Sequence, residues 1–153
     1  AFRRSVYTFW KRGLPPPQMT IFDAPTREAC IARRERTNTP LQALMLMNEP
    51  QFFSASAHCA QGILENTDWK DAQRIERAYE TITSQLPTDT EARTLKQALA
   101  SFREHYNKNV DAAQALTSGY LSGNTSKDDS IELASWTMLT HALLNLDIVK
   151  TRQ

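Results

Sequence analysis

Between Ala72 and Tyr106 the apolar residues return at every third or fourth position: Ala72, Ile75, Ala78, Tyr79, Ile82 and Leu86, then Ala92, Leu95, Leu99, Phe102 and Tyr106. This spacing lines one face of an α-helix and does not fit the period of two of a half-buried strand. The two runs are divided by Pro87 and by Thr88-Asp89-Thr90-Glu91, which has the form of a capping box. In such a box the hydroxyl accepts from a first-turn amide while the acid reaches back to the cap's own amide. One helix is therefore expected to begin near Asp68 and stop at Pro87, and a second to begin at Thr88.

The same grammar recurs. Thr39-Pro40-Leu41-Gln42 is a second capping box, with proline at the first helical position, where no amide is missed. Leu41, Leu44, Met45 and Met47 are expected to be its buried side. Asn48-Glu49-Pro50-Gln51 repeats the arrangement and opens a helix with Phe52, Phe53, Ala57, Ala60, Ile63 and Leu64 at helical spacing. A short helix near Asp111–Ser118 should close at Gly119 as a left-handed cap. SGNTSKDDS then reads as a solvated loop, its Asp128 and Asp129 serving the start of the last helix. That helix, from about Ser130, is apolar nearly all round (Ile131, Leu133, Ala134, Trp136, Met138, Leu139, Ala142, Leu143), the mark of a central buried element. At the N-terminal end, RRSVYTFWKR is read as a short helix and Pro15-Pro16-Pro17 as extended chain. MTIFDAPTRE is read as a connector that turns at Asp23-Ala24-Pro25, with Thr26 capping a short helix through Arg34. No strand pattern occurs, and only 4 glycines are present for tight turns. The fold class is all-α: a compact bundle of six or seven helices behind a proline-rich N-terminal connector. The domain reading is one helical domain over residues 1–153, divided into a basic, aromatic and Pro-rich lead-in (1–36) and a helical core (37–153). The absence of an initiator Met and of a signal-peptide pattern suggests a domain excised from a larger protein.

At 153 residues the chain can bury a core without disulfide or metal support. No apolar run approaches the ~18–20 residues that a membrane span needs. The net charge of +1 conceals an asymmetry: residues 1–36 hold 8 Lys/Arg against 3 Asp/Glu, a formal +5, and the remainder holds 10 against 14, a formal −4. A basic end that also carries Tyr7, Phe9 and Trp10 beside Arg3, Arg4, Lys11 and Arg12 fits either single-stranded nucleic acid or an interface with other protein. The interface is the favoured reading, and no nucleic-acid partner is expected. Cys30 and Cys59 allow one disulfide or two thiols, and sequence does not choose between them. There is no Cys-x-x-Cys-His, so no haem attaches within this chain.

His58, His105 and His141 form no metal-ligand spacing with one another or with nearby acids, and no metal or other cofactor is expected in this chain. His141, inside the apolar last helix, reads first as a core histidine satisfied by one hydrogen bond. No serine-nucleophile elbow, phosphate-cradling glycine loop or dinucleotide fingerprint occurs, so no catalytic residue is assigned and no activity is expected of the isolated domain. The ligand-binding candidates are Arg36, Asn38 and His141. An arginine and an Asx turn at a helix start can converge on an anion. Alternatively, Arg36 pairs with Asp147 or Glu49 and locks two helices together, which is the favoured reading.

RRSVYTFWKRGLPPPQMTIFDAPTREACIARRERTNTPLQALMLMNEPQFF resembles the signature of a C-terminal PSD-type domain of unknown function, found in large proteins of planctomycetes and related bacteria. ELASWTMLTHALLNLDIVKTRQ resembles how that domain closes. The matching residues are Arg36, Thr37, Asn38, Thr39, Pro40, Gln42, Asn48, Pro50, Trp136, Asn145 and Asp147. In that family the domain follows a cytochrome-c-like region and a further family-specific domain. The resemblance thus implies an exported parent protein, periplasmic or extracellular, with the parent's other domains as partners. It carries no catalytic residue and no haem motif onto this chain. Two functions follow as expectations: a structural or partner-binding helical module, or a carbohydrate- or anion-binding domain whose pocket neighbouring domains complete. The oligomeric state is left open.

Overall fold

The computed structural model describes residues 7–11, 13–26, 28–33, 37–119 and 126–151. Among these residues there are eight helices and no strand: α1 (Pro17–Ile21), α2 (Pro40–Asn48), α3 (Pro50–Leu64), α4 (Asp71–Thr83), α5 (Asp89–Lys108), α6 (Val110–Thr117), α7 (Lys127–Leu144) and α8 (Asp147–Lys150). The fold is all-α. The chain forms two compact units, Ala1–Met45 and Leu46–Gln153, and the border between them falls within α2.

The second unit is built around α7, which packs on α3, α5 and α6 and touches α4. Its nearly all-apolar circumference explains this position: Leu133, Trp136, Leu139 and Leu143 are at most 2% exposed. They meet Ala60 and Ile63 of α3, Ile75, Ala78 and Tyr79 of α4, and Leu99 of α5 in one cluster. Ile131 and Ala134 pack with Tyr106 and Ala113 in another. Full burial of each large side chain is worth ~1.5–3 kcal/mol, so α7 carries much of the apolar stabilisation of this unit. Two helix starts of this unit have a hydroxyl side chain as cap. Thr88 Oγ1 accepts from the Glu91 amide at 3.3 Å while a Glu91 oxygen accepts from the Thr88 amide at 2.8 Å. Ser126 Oγ accepts from the Asp129 amide at 3.1 Å and donates to its carboxylate at 2.7 Å, and Asp128 and Asp129 place negative charge in the first turn.

Several local expectations are overturned. Tyr7–Lys11 is not α-helical, and no helix follows Thr26 among the described residues as far as Arg33; the remainder of both segments lies outside the described residues. Met19–Ile21, expected as connector, is helical, because Pro17 supplies the fixed φ of a first helical position and opens α1. The helix expected near Asp68 begins at Asp71, where the amide of Lys70 donates to Gln73 Oε1 at 3.0 Å. It ends before Pro87, because Ser84 adopts the left-handed conformation (φ 63) and leaves Leu86 71% exposed. Ala72, placed in the apolar stripe, is exposed. At α3 proline takes the first position as expected, but the N-cap residue, Glu49, provides no side-chain cap bond. Gly119 is not left-handed, and the last helix starts at Lys127 rather than Ser130. In α2 the buried residues are Gln42 and Leu46, whereas Leu41, Leu44 and Met47 are 55%, 56% and 60% exposed.

Candidate functional site

The stretch from Thr37 to Gln42 closes a polar clasp inside the first unit. Asp23, held at φ 56 in the turn after α1, points its carboxylate at Thr37. The Thr37 amide donates to Oδ2 at 2.8 Å and the hydroxyl donates to the same carboxylate at 2.8–3.0 Å. Gln42, only 2% exposed, sends Nε2 to the Ile21 carbonyl at 2.9 Å, to Thr37 Oγ1 at 3.0 Å and toward Asp23 Oδ2 at 3.3 Å. Its Oε1 accepts from the Thr39 amide at 3.2 Å, and its own amide donates to Thr39 Oγ1 at 3.3 Å. The capping box foreseen from the sequence is therefore present, and its glutamine serves a second purpose. A buried primary amide needs partners on both ends. Here it ties the end of α1 and the Asp23 turn to the start of α2. The Asp23 carboxylate faces N–H and O–H donors, an arrangement that fixes a loop.

Of the three ligand-binding candidates, Arg36 lies outside the described residues. Asn38 is exposed between the two threonines of the clasp, in the first unit. His141 belongs to α7 in the second unit, where Nε2 is 2.9 Å from the Leu46 carbonyl oxygen. A carbonyl can only accept, so Nε2 carries the proton. The Phe53 ring meets the imidazole edge-on at 5.3 Å between centroids. This is the geometry of a histidine satisfied at the margin of a core. Cys30 is an exposed free thiol and Cys59 a partly buried one; burial pushes the Cys59 thiol above its ordinary pKa.

Two features of the second unit had no local sequence signal. Arg103 on α5 clamps Glu132 of α7 through Nε and Nη2, both at 2.7 Å, and Asp71 of α4 through Nη1 and Nη2. The hydrogen bonds that Arg103 donates hold the Asp71 carboxyl below its usual range. Its bonds to Asp71 first, then its burial, which acts the other way, and its bonds to Glu132 leave the guanidinium pKa raised on balance. With both faces of its fork engaged by carboxylates, Arg103 is a three-helix staple. These partners stand about thirty residues apart in sequence, beyond the reach of any helical spacing. The second feature is an open groove of about 410 Å³ between α4 and α5, lined by Ala72, Ile75 and Glu76 of the former and by Asp89, Ala92, Arg93 and Lys96 of the latter. Neither Asn38 nor His141 lines it. Among the described residues no group of three or more His, Cys, Asp or Glu could hold a metal ion. No helix among them is long and apolar enough to cross a membrane.

The model of the PSD1 family, a protein of unknown function (DUF1553), matches residues 1–99. The chain belongs to this family. The PSD1 match takes in the clasp, α1 to α4 and the first half of α5, whereas α6, α7 and α8 lie beyond it. The chain finds no match among the curated proteins or among the solved structures.

Proposed function

We propose that this PSD1 chain is a structural or partner-binding helical module, non-catalytic, of a larger exported and cytochrome-associated protein of planctomycete type. The observation that carries the binding part is the distribution of exposed apolar side chains. Tyr7, Phe9, Leu14, Ile31, Leu41, Leu44 and Met47 are all more than half exposed, and only Leu86 joins them from the remainder of the described chain. Single exposed apolar residues are ordinary on soluble proteins, but a concentration in one stretch of chain marks a surface meant to be covered. The clasp supports the same reading, because it spends the polar residues of Thr37–Gln42 on holding α2 in place. The export and cytochrome association rest on the resemblance of the N-terminal and C-terminal blocks described above.

The test is amide hydrogen exchange on the chain alone and on the same chain within its intact parent. Protection of residues 37–48 in the parent is expected. Equal exchange in both contexts overturns the module reading. Haem staining of the parent and fractionation of cells producing it check the cytochrome association and the export.

A further inference from the structure

Independently of the module reading, we infer that the groove between α4 and α5 is a binding site for a short zwitterionic peptide with apolar side chains. Its lining lies within the second unit and carries two acids, Glu76 and Asp89, and two bases, Arg93 and Lys96. All four are exposed. No ion pair joins them among the described residues: those of α4 and α5 link Arg77 to Glu80, Arg103 to Asp71 and Glu132, and Lys108 to Glu104. Arg93 instead donates Nε to the Asp89 carbonyl at 3.2 Å, which holds the guanidinium in place with its terminal nitrogens open. Lys96 adds to the positive field on Asp71, but that carboxylate is already taken by Arg103. Ala72, Ile75 and Ala92 supply the apolar part of the lining.

The balance of charge decides the kind of ligand. An anion would meet Glu76 and Asp89, a cation would meet Arg93 and Lys96, and a wholly apolar molecule would strip water from four ions. A molecule with one charge of each sign avoids all three penalties. The spacing sets its length. Asp89 and Lys96 stand seven residues apart on one helix, about 10 Å along its axis at ~1.5 Å per residue. Three extended residues cover about the same distance, at roughly 3.3–3.6 Å each. The ammonium of a tripeptide can thus sit at Asp89 while its carboxylate reaches Lys96. Arg93, one turn from Lys96, offers the carboxylate further donors, and Glu76 offers the ammonium a second acceptor. The tripeptide's apolar side chains then cover Ala72, Ile75 and Ala92. The groove, about 410 Å³, falls within the ~300–1,000 Å³ range of small-molecule sites.

The experiment is an amide chemical-shift titration of the isotope-labelled full chain. The probes are alanyl-leucyl-alanine, its N-acetyl form, its C-terminal amide and the doubly blocked peptide. At low ionic strength the free tripeptide is expected to bind at least about threefold tighter than either singly blocked form, a preference that salt erodes. Its shifts should centre on residues 72–76 and 89–96. Lys96→Met should erase the preference for a free carboxylate and keep that for a free amine. Asp89→Asn should do the opposite, with circular dichroism unchanged in both; a general weakening of the fold would not produce such selective losses. Ala72→Leu, at an exposed position, should fill the groove and abolish binding. Should a variant unfold, the four peptides on the unaltered chain decide the matter alone. No shift up to about 10 mM peptide, equal binding of all four peptides, or shifts centred elsewhere overturns the proposal. Tightest binding of the acetylated form, the mark of an anion site, or of the amide, the mark of a cation site, overturns it too. None of these results touches the module reading, which is decided by exchange of residues 37–48 in the parent.

Discussion

Replacing Gln42 by alanine should harm the chain more than replacing Thr39, the reverse of what the capping box alone implies. A box is held mainly by its threonine, and the glutamine completes the reciprocal half. In this fold the Gln42 amide group also reaches the Ile21 carbonyl, Thr37 Oγ1 and the Thr39 amide, at 2.9, 3.0 and 3.2 Å. Truncation strands these partners beneath a residue that is 2% exposed. Each hydrogen bond is worth ~0.5–1.5 kcal/mol and a stranded buried partner costs ~1–3 kcal/mol, so about 2–4 kcal/mol is expected once water rescues the less buried groups. In Thr39→Ala the Gln42 amide keeps its 3.1 Å bond to the Thr39 carbonyl. Only the longer hydroxyl bond is lost, and the cost falls near the lower end of the ~0.5–2 kcal/mol range for such caps. Amide exchange read separately for residues 37–45 and 131–143 reports local stability on either side of the border. Gln42→Ala should speed exchange in the first segment by about thirtyfold or more, as 1.4 kcal/mol is a factor of ten. Thr39→Ala should raise it only a few-fold. Gln42→Glu keeps the size but sets a second carboxylate against Asp23, and should recover partly as falling pH protonates the pair. If Thr39→Ala proves the worse substitution, the clasp is not what holds α2.

Arg103→Met should lower stability by about 1–3 kcal/mol, less than for a fully buried pair because both carboxylates are partly solvated. The same staple gives a pH signature. A carboxyl whose folded pKa lies below its unfolded value adds stability that is present above the unfolded value, 3.8 for Asp71, and is lost as pH falls through the folded one. Urea titrations from pH 6 downward should therefore show a decline that is shallower in Arg103→Met. Thr137→Val should be neutral or stabilising by up to about 1 kcal/mol, since the buried Thr137 Oγ1 has no protein partner and valine keeps its shape; a clear loss in thermal unfolding would reveal a partner for this hydroxyl. Under a thiol reagent Cys30 should react promptly and Cys59 slowly, because Cys59 is partly buried with its thiolate disfavoured; mass spectrometry of timed samples decides this, and equal rates refute it.

What could be read from the sequence follows from how local each determinant is. The boxes at Thr39 and Thr88 are written within four residues, and the stripes of α5 and α7 within a turn or two. Pattern reading failed at α2 because it equates apolar with buried. A polar residue with four partners from elsewhere outbid three large apolar neighbours for the inner side of that helix. It also missed the Arg103 staple, whose three members lie on three helices. Arg36, which carried the anion hypothesis, gained no described surroundings, and His141 turned out to bond a backbone carbonyl.

The placement of α7 matters for the order in which this protein can be made. The helix that α3, α4, α5 and α6 all touch is the last long one in the sequence. Thr140, for example, donates to the carbonyl of Ser56, 84 positions earlier in the chain. During synthesis, the earlier helices leave the ribosome with their apolar sides uncovered until residue 144 has emerged. At ~5–20 residues per second the interval from the end of α3 lasts several seconds. Such a nascent chain invites chaperones and non-native pairings, and a message cut short before Lys127 would release helices with no centre to gather on.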